Sequence, residues 1–98
     1  MNDETRELLH KYNMALADEG ILGKEHKGLV ETPDTPMEHR LEHTRWMIVR
    51  MLEHSEEFSA QDRNLWIGFV QGVLWMNDNR TLHKIQEEQG FLYEEQSL

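Results

Sequence analysis

The sequence predicts an all-α fold, a small three- to four-helix bundle with a long, partly ordered loop between its first two helices. Three observations carry that prediction. Apolar residues recur at helical spacing in several stretches, those stretches are bracketed by capping residues and glycines, and nowhere do apolar and polar residues alternate as in a strand. No repeat of useful period is present.

The first helix reads as residues 3–19. Asn2 or Asp3 is placed to cap it, and Leu8, Leu9, Tyr12, Ala15 and Leu16 share one side. Gly20 supplies a left-handed stop. Residues 20–35 hold three glycines with Pro33, and Pro36 follows, so this segment reads as a loop. Ile21, Leu22, Leu29 and Val30 are expected to pin that loop to the body. The second helix, residues 36–54, opens on Thr35-Pro36-Met37-Glu38, a capping box with proline expected at the first helical position. Met37, Leu41, Thr44, Ile48, Met51 and Leu52 line one side of it. Ser59-Ala60-Gln61-Asp62 reads as the cap of a third helix over residues 60–76. Asn77-Asp78-Asn79 makes a turn, and Thr81 starts a short fourth helix, residues 81–89, with Gly90 as its stop. Phe91, Leu92 and Tyr93 are expected to fold back on the bundle, and the acidic tail, residues 94–98, to fray.

Ninety-eight residues make a single small domain whose stability margin is thin. Apolar residues reach 38% and charged residues 30%, enough oil for a core and too much for a disordered chain. The absence of cysteine excludes disulfide and thiolate chemistry. Residues 1–7 are polar and do not read as a secretory leader, so the cytoplasm is the expected compartment. The strongly apolar run 65–76 falls short of the roughly twenty residues that span a bilayer, so no membrane insertion is expected. Net charge is −9, spread unevenly. Residues 41–86 carry six acids against five bases, whereas residues 87–98 carry four acids and no base. Such a chain repels nucleic-acid backbones, which disfavours direct nucleic-acid binding. Acidity serves solubility first and an acidic nucleic-acid mimic second.

Three features bear on function. On the third helix, Leu65, Trp66, Ile67, Phe69, Val70, Val73, Leu74 and Met76 cover roughly 200° of the circumference, wider than the stripe of an ordinary bundle helix. Trp75 falls outside that arc, on the side of Asn64 and Gln71. Gly68 and Gly72, four apart, leave a groove for the close approach of another helix. This helix is either wrapped on all sides by its own chain or shares its surface with a second copy or another protein. Trp46 falls on the polar face of the second helix among His39, Glu42, His43, Arg50 and Glu53. It is either a contact hot spot or is buried under the loop by Leu22, Leu29 or Val30. His39 and His43, four apart, share an edge that Arg50 and His54 extend, while Glu42 points elsewhere. A metal pair would need further ligands from His10, His26 or the loop acids. A titratable cationic edge or plainly solvated histidines are the simpler readings, and no metal or other cofactor is expected.

No nucleophile with a matched base, phosphate-binding glycine loop, zinc-protease helix or EF-hand loop is present, so no catalytic residue is assigned. Residues 63–75 (RNLWIGFVQGVLW), followed by Thr81-Leu82 and preceded by His43-Thr44-Arg45-Trp46-Met47, resemble a pattern found in small bacteriophage-encoded helical accessory proteins. The likeness covers residues 43–85. It implies an accessory role in the cytoplasm of an infected bacterium and transfers no catalytic residue. The expected function is therefore to bind and modulate a host or phage protein, in host takeover, lysis timing or counter-defence. Contact would run through Trp46, His43, Arg50 and His39, or through Trp66 and Trp75 on the third helix. The alternatives are an obligate homo-oligomer, structural or binding a small ligand between subunits, and the nucleic-acid mimic.

Overall fold

The computed structural model describes residues 1–27 and 35–97, with side chains to residue 90. Four helices follow in chain order: α1 (Asp3–Asp18), α2 (Met37–Glu53), α3 (Ala60–Met76) and α4 (Leu82–Ser97), with a 3-10 turn at Ser55–Glu57 between α2 and α3. No strand occurs among the described residues. Helix α1 packs on α2 and α4, and α3 packs on the same two, closing a four-sided bundle. No described helix is long and apolar enough to cross a membrane.

Local chemistry sets each boundary. The Asn2 side chain accepts the Thr5 amide at 2.9 Å and caps α1. The other end closes with Gly20 at φ +79°, its N–H donating to the Ala17 carbonyl, and the Ile21 N–H reaching the Leu16 carbonyl. That pair of bonds is a Schellman closure, and it turns Ile21 back against the core. Ser59 caps α3 by accepting the Asp62 amide at 3.0 Å. Asp78 repeats the closure of α1 at the end of α3, with φ 61°: its N–H donates to the Trp75 carbonyl and that of Asn79 to the Leu74 carbonyl. Asp and Asn tolerate this left-handed conformation better than other side chains do. Thr81 Oγ1 accepts the Lys84 amide and opens α4.

Two boundaries depart from the sequence reading. Pro36 is the cap of α2 rather than its first helical residue. Its ψ of 146° is extended, and its carbonyl accepts the amides of His39 and Arg40. Helix α4 continues through Gly90 to Ser97 instead of stopping at 89. A helix-interior glycine costs only about 1 kcal/mol relative to alanine, too little to end a helix by itself. Backbone helix therefore replaces the frayed tail over residues 94–97. Leu98, the side chains of Phe91, Leu92 and Tyr93, and loop residues Leu29, Val30 and Pro33 lie outside the described set.

The core is built from Leu8, Leu9, Tyr12 and Leu16 of α1, Leu41, Met47, Ile48 and Met51 of α2, and Ile67, Val70 and Leu74 of α3. From α4 comes Ile85. Thr44, buried in the middle of α2, satisfies its hydroxyl by donating to the Arg40 carbonyl at 2.7 Å.

Candidate protein-docking site

The geometry of the site begins with a polar cluster inside the bundle. The Tyr12 hydroxyl donates to Glu88 Oε1 at 2.6 Å and accepts Gln71 Nε2 at 3.1 Å. Gln89 Nε2 reaches Gln71 Oε1 at 3.2 Å. Glu88, buried to 3% exposure, pairs with Arg80 at 3.4 Å, and the Arg80 guanidinium lies 5.1 Å from the centre of the Tyr12 ring. Burial first, and the Glu88 carboxylate second, push the Tyr12 phenol far above its ordinary pKa, so it stays a proton donor. Buried polar groups are tolerable only when they are paired, and here the pairing requires Gln71 to face inward.

That requirement rotates α3. Its buried face is Arg63, Ile67, Val70, Gln71 and Leu74. Gln71, placed by the wheel beside Trp75 and away from the apolar arc, sits instead at the centre of the fold. With the inward face fixed, part of the apolar arc points outward: Leu65 is 67% exposed, Phe69 56%, Met76 65% and Trp75 45%. The helix is not wrapped on all sides by its own chain. The chain wraps the Ile67, Val70 and Leu74 side and leaves the Leu65 and Phe69 side bare.

Gly68 and Gly72 lie on this bare side. A Cβ built on either would meet nothing within 4 Å. They floor a groove of about 400 Å³. Met37 and Arg40 of α2 form one wall of it, and Phe69, Val73, Trp75 and Met76 of α3 complete the lining. Residues 64–77 contain no ionisable side chain, the longest such run in a chain of net charge −9. Leu65, Phe69, Trp75, Met76 and Met37 together expose on the order of 500 Å² of mostly apolar surface. The largest apolar patch on a monomer is commonly of about this size, ~300–600 Å², and is often functional. A second hollow of about 380 Å³ continues past the end of α3, between Trp75, Arg80 and Leu82.

Trp46 and Trp66 occupy a separate ledge. Trp46 is half-buried, its ring 6.2 Å from Trp66 and 5.2 Å from His43, and Phe58 meets Trp66 edge-on at 4.8 Å. Leu22 is itself 65% exposed, and Leu29 and Val30, the other residues expected to cover Trp46, lie outside the described residues. The loop comes close by its backbone: Gly23 lies alongside Arg45 and the Trp46 amide.

The histidine edge is where the loop fastens. Arg45 Nη1 donates to the Ile21 carbonyl at 2.6 Å and its Nε to Asn13 Oδ1 at 2.9 Å, tying α1, the loop and α2 together. The Lys24 amide donates to the Glu42 carbonyl. His26 stacks on His39 at 4.6 Å, gives its amide N–H to His43 Nδ1 at 3.0 Å, and sets its ring nitrogen 2.8 Å from Glu42 Oε1. Glu42, which the wheel points away from this edge, is therefore drawn into it by His26. Among the described residues no group of three or more histidines and carboxylates is placed to hold a metal ion. Burial lowers the His43 pKa below its ordinary value, with Glu25 opposing and His26 adding to the shift. Arg50 turns away from this cluster to Glu57, 2.8 Å distant at the α2–α3 corner, with His54 beside it.

The structure thus brings His39, His43 and Trp46 together with Trp66, and sets Trp75, Gly68 and Gly72 on another face. The residues missed by sequence reasoning are Leu65, Phe69 and Met76 as exposed groups, and the signal was available: they cluster on the wheel opposite Ile67 and Leu74. Compared with protein-family models, with characterised proteins and with solved structures, the chain finds no match in any of the three.

Proposed function

We propose that this chain is a non-catalytic binding protein that docks a host or phage protein on the outer face of α3, as an accessory protein in the infected bacterial cytoplasm. The observation that carries the reading is the uncharged run of residues 64–77, turned outward at Leu65, Phe69, Trp75 and Met76. A chain with this many acids has ample material to coat a solvent-facing helix. Helix α1 presents Asp3, Glu4, Glu7 and Asp18 to solvent, with Glu19 at its cap. Leaving one face bare in so small a domain risks aggregation unless that face is used. The likeness of residues 43–85 to bacteriophage accessory proteins supplies the context, and the aromatic ledge at Trp46 and Trp66 offers a second, shallower contact.

The test is affinity capture from bacterial host lysate with wild type, Phe69→Glu and Trp46→Ala side by side. Proteins recovered by wild type and by Trp46→Ala but lost with Phe69→Glu support the α3 face. Identical recovery by all three refutes it.

A further inference from the structure

We propose that the first occupant of the α3 face is a second copy of this chain, paired antiparallel across a two-fold axis between Phe69 and Gly72. The inference rests on the docking reading and names the partner that the face itself fits.

The pattern along the strip is self-complementary. Its outward positions are Leu65, Phe69, Gly72 and Met76, spaced four, three and four, the spacing of a helix-pairing seam. Laid antiparallel on a copy of itself with the axis midway, the strip sets Phe69 opposite Gly72 and Leu65 opposite Met76. The two-fold then repeats both contacts, as an isologous interface demands. Each pairing is sterically sound. Phe69, 56% exposed, is a knob, and Gly72 beside Gly68 is a notch open to solvent. Leu65 meets the flexible thioether side chain of Met76, which adapts to an irregular surface. The glycines let the two helices approach to the short end of the usual range of about 8–10 Å between axes.

Charge selects the same occupant. A basic partner drawn to a −9 chain would seek carboxylates, and the strip offers none. Conversely, two copies that repel through their acids meet without like charges in contact only where neither carries a charge. Size is compatible as well. The strip together with Trp75 and Met37 exposes on the order of 500 Å², and Leu82, 55% exposed beyond the end of α3, extends it toward the ~800 Å² per partner of a stable interface.

The experiment is analytical ultracentrifugation of the full chain over a concentration series at low and high salt. Twice the 11.7 kDa chain mass is expected, with association tightening as salt rises, because screening relieves repulsion between acidic copies. Phe69→Glu is expected to sediment as a monomer with an unchanged helical circular-dichroism spectrum, since residue 69 faces solvent in the single chain. Gly72→Ala separates pairing from folding. A methyl there meets nothing within the chain and improves helix propensity, so the monomer gains thermal stability. The same methyl fills the notch for Phe69, and dimer affinity falls about tenfold or more. A register check uses the cysteine-free background: mixing Leu65→Cys and Met76→Cys copies yields the mixed disulfide in preference to either homodisulfide. A monomer at every concentration and salt overturns the proposal, as does a dimer indifferent to both substitutions or one loosened by salt. A monomer that still loses its captured protein on Phe69→Glu sinks self-pairing and leaves the docking reading standing.

Discussion

Replacing Tyr12 with phenylalanine removes one oxygen atom and tests why α3 faces the way it does. The ring stays, along with its burial and its contact with Arg80. What goes is the donor to Glu88 at 2.6 Å and the acceptor for Gln71 at 3.1 Å. A hydrogen bond to a charged group contributes about 1.5–3 kcal/mol, and leaving a buried amide N–H without its acceptor costs about 1–3 kcal/mol. Glu88 keeps Arg80, so the combined loss falls toward the low end of the summed ranges, about 3 kcal/mol. Against the ~5–15 kcal/mol that holds a domain of this size together, that is a large fraction. Urea unfolding followed by circular dichroism reads it directly, with the midpoint falling by about 2 M at the shallow slope of a small domain. A double-mutant cycle with Glu88→Gln, which retains an acceptor but removes the charge, then isolates the Tyr12–Glu88 pair. If Tyr12→Phe unfolds within ~0.5 kcal/mol of wild type, polar pairing does not orient α3, and the exposure of Phe69 and Leu65 needs another cause.

Two further outcomes follow from the loop edge. His43 is held neutral by burial, with its folded pKa below the unfolded value of about 6.5. The unfolded chain therefore binds the extra proton first. The contribution of His43 is complete above that unfolded value and is lost as pH falls through the lower folded one. Unfolding free energies from about pH 7 to about pH 5 should decline less in His43→Gln than in wild type, and the His26 amide resonance should move with the His43 ring. Equal declines in the two proteins would remove His43 from the account. Arg45→Ala cuts both bonds that bind the loop to α1 and α2, at an expected cost of about 2 kcal/mol. Hydrogen exchange should accelerate at residues 21–26 while α3 is unaffected, and uniform acceleration across the bundle would contradict a local staple.

Much of the fold is legible from local chemistry. Asn2, Gly20, Ser59 and Thr81 each act within a few residues of themselves, so the motif alone places the helix end. Gly90 misleads because a lone glycine is a weak terminator, and Pro36 slips by one position because its φ suits both the cap and the first turn. The orientation of α3 is not legible in the same way. A wheel ranks faces by oil and assigns Gln71 to solvent, whereas its place is decided by Tyr12, 59 positions away in the chain, and by Gln89. Glu88 and Arg80 look like ordinary surface charges until they are brought to the same tyrosine. The histidine edge is half legible: the i, i+4 spacing finds His39 and His43, but only the folded loop delivers His26 between them and Glu42.

The way α4 is seated has a consequence for how the last helix finds its place. Ile85 is its one buried aliphatic side chain among those described, and beside it stands the Glu88 carboxylate against Tyr12 and Arg80. Oil alone tolerates sliding, since one greasy side chain fits nearly as well a turn away. A carboxylate does not, because a shift of about 5.4 Å along the axis would strand it where nothing donates a proton to it. The polar triad works as an indexing pin: beyond whatever grip it adds, it permits a single seat for the helix.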